Sequence, residues 1–136
     1  NYADRYEPTP SPDQQDAFTS WLLGIEDRVD VVMVHEPALI EPALAVLHDR
    51  PPAHPLVFIV GHTHQADLRL QPGVTIVNGG SIGAGGTGNL ADDPTKVGIA
   101  RLVYAERPRF LPLAADLVSI DPGSGSATAR RERLDE

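Results

Sequence analysis

The sequence predicts a mixed α/β (α+β) fold, in which a strand–helix–strand unit is followed by mainly antiparallel strands. Three observations support this prediction. Two short apolar runs, 29–34 and 56–60, have the near-continuous hydrophobicity of strands that are covered on both faces. A helical pattern lies between them, and such alternation is typical of parallel strands. Beyond residue 65 the pattern changes to short strands separated by turns rich in glycine and proline.

The first predicted element is a helix that begins after Ser11. Ser11 is suited to be the N-cap, Pro12 to fill the first helical position, and Gln14 to complete a capping box. Apolar residues then recur at helical spacing, at Phe18, Trp21, Leu22 and Ile25. We predict that this face, including Trp21, packs in the core and that Trp21 is not a ligand platform. The preceding residues, 1–10, are predicted to be an extended lead-in.

The other elements follow in chain order. After the strand over 29–34 we predict a helix over 42–49 and a strand over 56–60. The second half is predicted to contain strands over 66–70, 74–78, 97–105, 109–115 and 127–133, the first two joined by a hairpin turn at 71–73. The glycine-rich stretch 78–89 lacks the lysine of a P-loop, so we reject a nucleotide-binding loop there.

Length and composition limit the classes of function. The 136 residues are predicted to form one domain, and no apolar run approaches the roughly 20 residues that cross a membrane, so the chain is expected to be soluble. The net charge of −8 argues against nucleic acid as a partner. Because the chain has no cysteine, a metal site would use His, Asp, Glu or Asn, a ligand set suited to Mn, Fe, Zn, Co or Ni.

Two apolar runs end in histidine, and these residues are the main functional clue. Gly61 stops the second run and is followed by His62 and His64, whose side chains point the same way in an extended segment. Open α/β sheets bind ligands at the carboxyl ends of their strands, which favours a metal site here. An isolated H-x-H pair also occurs by chance, so a role without metal stays open.

His35 ends the first run. A single histidine after a strand is more often a hydrogen-bonded structural residue than a ligand. The spacing between His35 and His62, however, suits a strand–helix–strand unit that would place the two side by side. Convergence of His35, His62 and His64 at one sheet edge therefore favours metal binding. His48 and His54 are predicted to be surface residues.

These residues resemble the motifs of the calcineurin-like metallophosphoesterases. The apolar run ending in His35 resembles the single-histidine motif of that family, and the segment Gly61-His62-Thr63-His64 resembles its closing G-H-x-H motif. Asn78-Gly79-Gly80-Ser81 resembles the N-P-G-S segment that often follows, with glycine in place of proline. From Asp4 onward the chain is similar to the C-terminal half of actinobacterial members that carry N-terminal membrane helices. The resemblance therefore implies the C-terminal half of a four-layer α/β/β/α sandwich.

The resemblance also implies roles for single residues. His35 and His62 match ligands of one divalent metal ion, and His64 matches a ligand of a second ion (Mn, Fe, Zn, Co or Ni) in a dinuclear site. Asn78 and Ser81 match a segment near the substrate. The implied activity is that of a phosphatase or phosphodiesterase, which hydrolyses phosphomonoesters or phosphodiesters through a metal-activated water.

The departures from the family pattern are equally informative. The family's D-x-H, G-D and G-N-H motifs do not occur between Asn1 and Glu136, so the bridging carboxylate and the catalytic histidine have no match. We therefore expect the C-terminal part of a two-metal phosphoesterase that is inactive by itself, in a partial domain over 1–136. The implied parent would have an N-terminal half, with a membrane anchor as one option.

Two alternatives remain open. One is an inactive fragment or module that associates with the missing N-terminal half or with a second copy. The other is a single-metal binding protein that uses histidines alone. Upstream D-x-H, G-D and G-N-H motifs would distinguish the phosphoesterase from both.

Overall fold

The computed structural model describes residues 9–63, 66–80, 97–106, 110–121 and 123–134. They form two α-helices, one short 3-10 helix over Pro37–Leu39 and seven strands. In chain order the elements are α1 (Pro12–Leu23), β1 (Val31–Met33), the 3-10 helix, α2 (Glu41–Asp49), β2 (Leu56–Val60), β3 (Ala66–Gln71), β4 (Val74–Gly79), β5 (Val97–Ala105), β6 (Leu111–Asp121) and β7 (Ser126–Arg133). The predicted lead-in over 1–10 lies mostly outside the described residues.

The strands form two sheets. Sheet 1 has the order β1-β2-β4-β3, with β1, β2 and β4 parallel and β3 antiparallel to β4. Sheet 2 is the antiparallel meander β5-β6-β7. The mixed α/β (α+β) class, the strand–helix–strand unit and the mainly antiparallel second half are therefore confirmed. Because β1, β2 and β4 are parallel, their carboxyl ends lie at one edge of sheet 1.

The start of α1 is formed by local hydrogen bonds. The Gln14 backbone N–H donates to Ser11 Oγ, and the Ser11 backbone N–H donates to Gln14 Oε1, which confirms the capping box. The predicted burial of Trp21 is wrong, because its side chain is 52% exposed and contacts Phe18 at a ring-centroid distance of 5.5 Å. α1 packs mainly on α2 and the 3-10 helix, and beside Leu22 its apolar residues Phe18 and Leu23 are only partly buried there. Of α1, only Leu22 is buried among the described residues.

The main core lies between the helices and sheet 1. Alternate residues of β2 and β4 lie in this core, and their other side chains lie on the opposite face of sheet 1. The core contains Leu22, Val32, Ile40, Ala43, Leu44, Leu47, Leu56, Phe58, Val60, Val74 and Ile76. No helix in the described ranges is long and apolar enough to span a bilayer.

Sheet 2 packs on the β3–β4 side of sheet 1, where the two backbones come close together. A Cβ at Gly98 would lie 3.1 Å from both Ala66 Cβ and the Gly79 carbonyl oxygen. A Cβ at Gly80, which has a φ of +75°, would lie 3.0 Å from Gly98 Cα. Glycine is therefore needed at Gly80, just after β4, and at Gly98 in β5, because a side chain at either position would separate the sheets.

An ion cluster holds the three strands of sheet 2 together. Asp116 on β6 accepts hydrogen bonds from Arg101 Nε on β5 at 2.8 Å and from Arg131 Nε on β7 at 2.6 Å. The three residues lie directly opposite one another in the two strand pairings. β6 runs to Asp121, six residues beyond its predicted end at 115, because this charge is accommodated by cross-strand arginines instead of ending the strand.

Removing the Asp116 charge is expected to make stability less dependent on acid pH. The hydrogen bonds from Arg131 and then Arg101 hold the pKa of Asp116 well below its usual range. The resulting stabilisation is complete above the unfolded-state pKa of about 3.9, and it is lost as pH falls below that value toward the folded-state pKa. Asp116→Asn should therefore have a lower urea midpoint than the unmodified chain at pH 7, and the difference between the two midpoints should become smaller as pH falls below about 4.

A charge-matched control separates this effect from loss of negative charge in general. Asp67→Asn removes one carboxylate from the exposed side of β3, so its difference from the unmodified chain should change much less with pH. An Asp116→Asn deficit of the same size at pH 7 and pH 3 would contradict the proposed role of the ion cluster.

Candidate metal site at the carboxyl ends of the parallel strands

The pairing of β1 with β2 continues beyond the strand ends and places two histidines together. The Val34 N–H donates to the Ile59 carbonyl at 3.0 Å, and the Gly61 N–H donates to the His35 carbonyl at 3.1 Å. The rings of His35 and His62 are 5.6 Å apart between centroids and nearly perpendicular, at 86°. The structure therefore brings together two of the three predicted ligands. His64 lies outside the described residues.

Gly61 makes room for the His35 ring. A Cβ at position 61 would lie 3.0 Å from His35 Nδ1 and 3.5 Å from its Cε1. Contacts near 3.0 Å are tighter than nine in ten real Cβ contacts, so any side chain at 61 would press on the imidazole. The glycine of the G-H-T-H segment is thus explained by the neighbouring histidine.

His62 has a strained backbone. Its φ is +65°, and it is the one non-glycine residue with a positive φ among those described. The Thr63 N–H donates to the Gly61 carbonyl at 2.8 Å, which closes a three-residue γ-turn with His62 at its centre. Such conformations cost on the order of 1–3 kcal/mol and persist only where the surroundings hold them. The His62 ring is therefore positioned by an unfavourable backbone conformation.

Glu36 is part of the site and was missed by the sequence analysis. Its Oε2 lies 3.4 Å from His62 Nδ1, and its Oε1 accepts a hydrogen bond from the Ala38 N–H at 3.1 Å, which caps the 3-10 helix. A carboxylate at Nδ1 directs the opposite nitrogen, Nε2, away from Glu36, an arrangement common around metal-binding histidines. The available signal was its position between a strand-ending histidine and Pro37, where a helix N-cap is expected.

Asn78 lies beneath the γ-turn. It is 5% exposed, and its Nδ2 donates to the Gly61 carbonyl at 2.9 Å and to Thr63 Oγ1 at 2.8 Å. Its Oδ1 accepts a hydrogen bond from the Gly80 N–H at 3.0 Å. Both the nitrogen and the oxygen of the Asn78 amide thus form hydrogen bonds within the protein. Ser81, the other residue expected near the substrate, lies outside the described residues.

The separation of His35 and His62 is compatible with a shared metal ion. Two imidazoles that bind one ion through bonds of about 2.0–2.1 Å have ring centroids roughly 5 Å apart, close to the observed distance. Within the described part of the chain, however, no three His, Asp or Glu side chains are placed to hold an ion. These residues therefore fit part of a ligand set, and further ligands would have to come from residues outside the described ranges, such as His64, or from outside this chain.

The two remaining histidines lie away from this edge. His48 is exposed on α2, as predicted. The prediction for His54 is wrong, because its side chain is only 11% exposed and its Nε2 lies 3.1 Å from the Val29 carbonyl. This hydrogen bond ties the proline-rich connector before β2 to the segment before β1. His54 therefore has a structural role.

Comparison with known proteins gives a fold likeness only. No protein-family model matches the sequence, and no curated protein matches it. Among solved structures, the chain is similar to Vps29 from Entamoeba histolytica, a protein with a calcineurin-like metallophosphoesterase fold. A single mutant matches at a TM-score of 0.42 and 21% identity, over 69% of this chain and 47% of that one.

Wild-type Vps29 complexed with zinc matches at the same TM-score and identity, over 68% of this chain and 46% of that one. The chain thus spans about half the length of the solved structures it matches. At this identity and TM-score the likeness says nothing about activity, metal binding or partners in the present chain.

Proposed function

We propose that this chain is the C-terminal part of a two-metal phosphoesterase, in which His35, His62 and His64 supply part of the metal shell. The supporting observation is the placement of His35 and His62 side by side at the carboxyl ends of two parallel strands, within segments that resemble the family motifs. Bound divalent ions in such a site clamp a phosphate ester and activate water for in-line attack. The substrate class is accordingly a phosphomonoester or phosphodiester.

The contribution of this chain is incomplete in charge as well as in number of ligands. Neutral imidazoles do not offset the charge of two divalent ions, and the carboxylate at this edge, Glu36, contacts the ring of His62 at Nδ1. A bridging carboxylate and a general acid are needed from the family motifs that are absent from this sequence. We therefore propose that these 136 residues are inactive until combined with those groups.

Loss of the histidines is the direct test. In the full-length protein, the double variant His35→Ala/His62→Ala should bind zinc at least about tenfold more weakly, and it should lose phosphatase activity toward p-nitrophenyl phosphate. Zinc affinity is measured by competition with a chromophoric chelator. His48→Ala is the matched control, because it removes an exposed histidine from α2. Unchanged zinc affinity and activity in the double variant would refute the proposal.

A second candidate function, a module that pairs with another polypeptide, is favoured by the edge of sheet 1. Among the described strands, β1 pairs only with β2, so its other edge has no strand beside it. Val31 and Met33, which lie on the face of β1 away from the helices, are 38% and 73% exposed. A missing N-terminal half or a second copy could extend the sheet here and cover these side chains. A folded monomer at high concentration in sedimentation experiments would exclude pairing with a second copy.

A further inference from the structure

His62 occupies a conformation that its own sequence does not favour. A positive φ is uncommon outside glycine, and a γ-turn of this hand is rare. The backbone hydrogen bond from the Thr63 N–H to the Gly61 carbonyl closes the turn, but by itself it does not prevent His62 from relaxing to a negative φ. Other groups must therefore hold the residues on both sides of His62 in place.

A side chain on the neighbouring strand, that of Asn78, bonds to the residues on both sides of His62. Asn78 is the register partner of Val60, the last residue of β2, so it lies directly beside the start of the turn. Its two amide hydrogens are donated to opposite sides of His62, one to the Gly61 carbonyl and one to Thr63 Oγ1. The Gly61 carbonyl thus accepts one hydrogen bond from the Thr63 N–H and one from Asn78. The two bonds that Asn78 donates, to Gly61 and to Thr63, are called the clamp below.

The orientation of this amide is fixed by the third hydrogen bond. Because the Gly80 N–H can only donate, the atom of Asn78 that faces it must be the oxygen, and the NH2 group must face the turn. An aspartate would keep the bond to Gly80 but would place an acceptor opposite the Gly61 carbonyl. A serine would lack the second donor. The clamp therefore needs the asparagine amide at this position.

We propose that Asn78 is a positioning residue for His62. It acts through its hydrogen bonds to Gly61 and Thr63, which keep the γ-turn around His62 in place. In this role Asn78 does not contact the substrate; it fixes the direction of the His62 imidazole toward His35. Without the clamp, His62 relaxes toward negative φ and its ring leaves its place beside His35. The consequence for metal binding rests on the proposed function, whereas the coupling between Asn78 and the His62 backbone does not.

The coupling is tested by a double-mutant cycle in the full-length protein without metal. His62→Gly tolerates the positive φ and so removes the strain that the clamp opposes. Because His62 recovers its strain when the clamp is lost and glycine has none to recover, Asn78→Asp should lower the urea midpoint clearly more in the His62→Gly background than in the natural background. Equal shifts in the two backgrounds would overturn the proposal, because Asn78 would then contribute only general packing.

The second arm measures zinc affinity. Asn78→Asp should weaken zinc binding about tenfold, the scale on which groups that orient a ligand act. Thr75→Val is the matched control, since Thr75 is a buried polar residue of the same strand whose side chain lies on the other face. An effect of less than twofold in Asn78→Asp, or an equal loss in Thr75→Val, would overturn the positioning role. If the unmodified protein binds no zinc, the proposed function fails, and the double-mutant cycle still decides the role of Asn78.

Discussion

Replacing Phe58 by alanine is expected to lower the free energy of unfolding by about 3–5 kcal/mol. Phe58 is the largest fully buried side chain among the described residues, and it lies in the middle of β2, which pairs with a strand on each side. Its ring fills the space between sheet 1 and the helices, so truncation leaves a cavity in the main core. Since domains are typically stable by about 5–15 kcal/mol, much of the stability would be lost.

The measurement is urea unfolding followed by circular dichroism, with Val46→Ala as the control. Val46 lies on α2 but is 38% exposed, and partly exposed positions of this kind usually change stability by within about 0.5 kcal/mol. If Phe58→Ala lowers the free energy of unfolding by less than about 1 kcal/mol, this result would contradict the packing of the helices on sheet 1. An equal loss of unfolding free energy in Phe58→Ala and Val46→Ala would indicate an effect on the helices and not on the core.

Elements with strong local signals could be predicted closely from the sequence. The β2 bounds are as predicted, because a continuous apolar run is bounded by Pro55 and Gly61. The α1 start is also as predicted, since a capping box involves only neighbouring residues. The adjacency of His35 and His62 followed from one topological rule, that parallel strands joined by a helix have their carboxyl ends at the same edge.

Features that depend on contacts between distant segments were not predictable in this way. Periodicity identified the apolar face of α1, but it could not show how much of that face is covered, and Trp21 lies at the margin. Asp116 interrupted the apolar pattern of β6, and only the cross-strand register reveals its arginine partners. The roles of Glu36 and Asn78 likewise depend on which backbone groups lie within hydrogen-bonding distance in the fold.

Replacing Gly61 by alanine is expected to displace the His35 ring while leaving the fold intact. The added Cβ would lie 3.0 Å from His35 Nδ1, so the imidazole must move by a few tenths of an ångström. Gly61 does not have a positive φ, and alanine therefore adds no backbone strain there. In a metal-binding protein, a shift of this kind in a ligand should weaken zinc affinity about tenfold, measured by chelator competition on the full-length protein.

Gly79→Ala is the control that isolates this contact. Gly79 lies at the same end of the neighbouring strand, its φ is not positive, and a Cβ there would have its nearest neighbour at 3.9 Å, an ordinary van der Waals distance. Its zinc affinity should be unchanged, and the His35 ring resonances in NMR spectra should move in Gly61→Ala alone. If Gly61→Ala shifted those resonances without changing zinc affinity, His35 would be a structural neighbour of the site and not a ligand, because a bound ion cannot be indifferent to the position of its own donor atom.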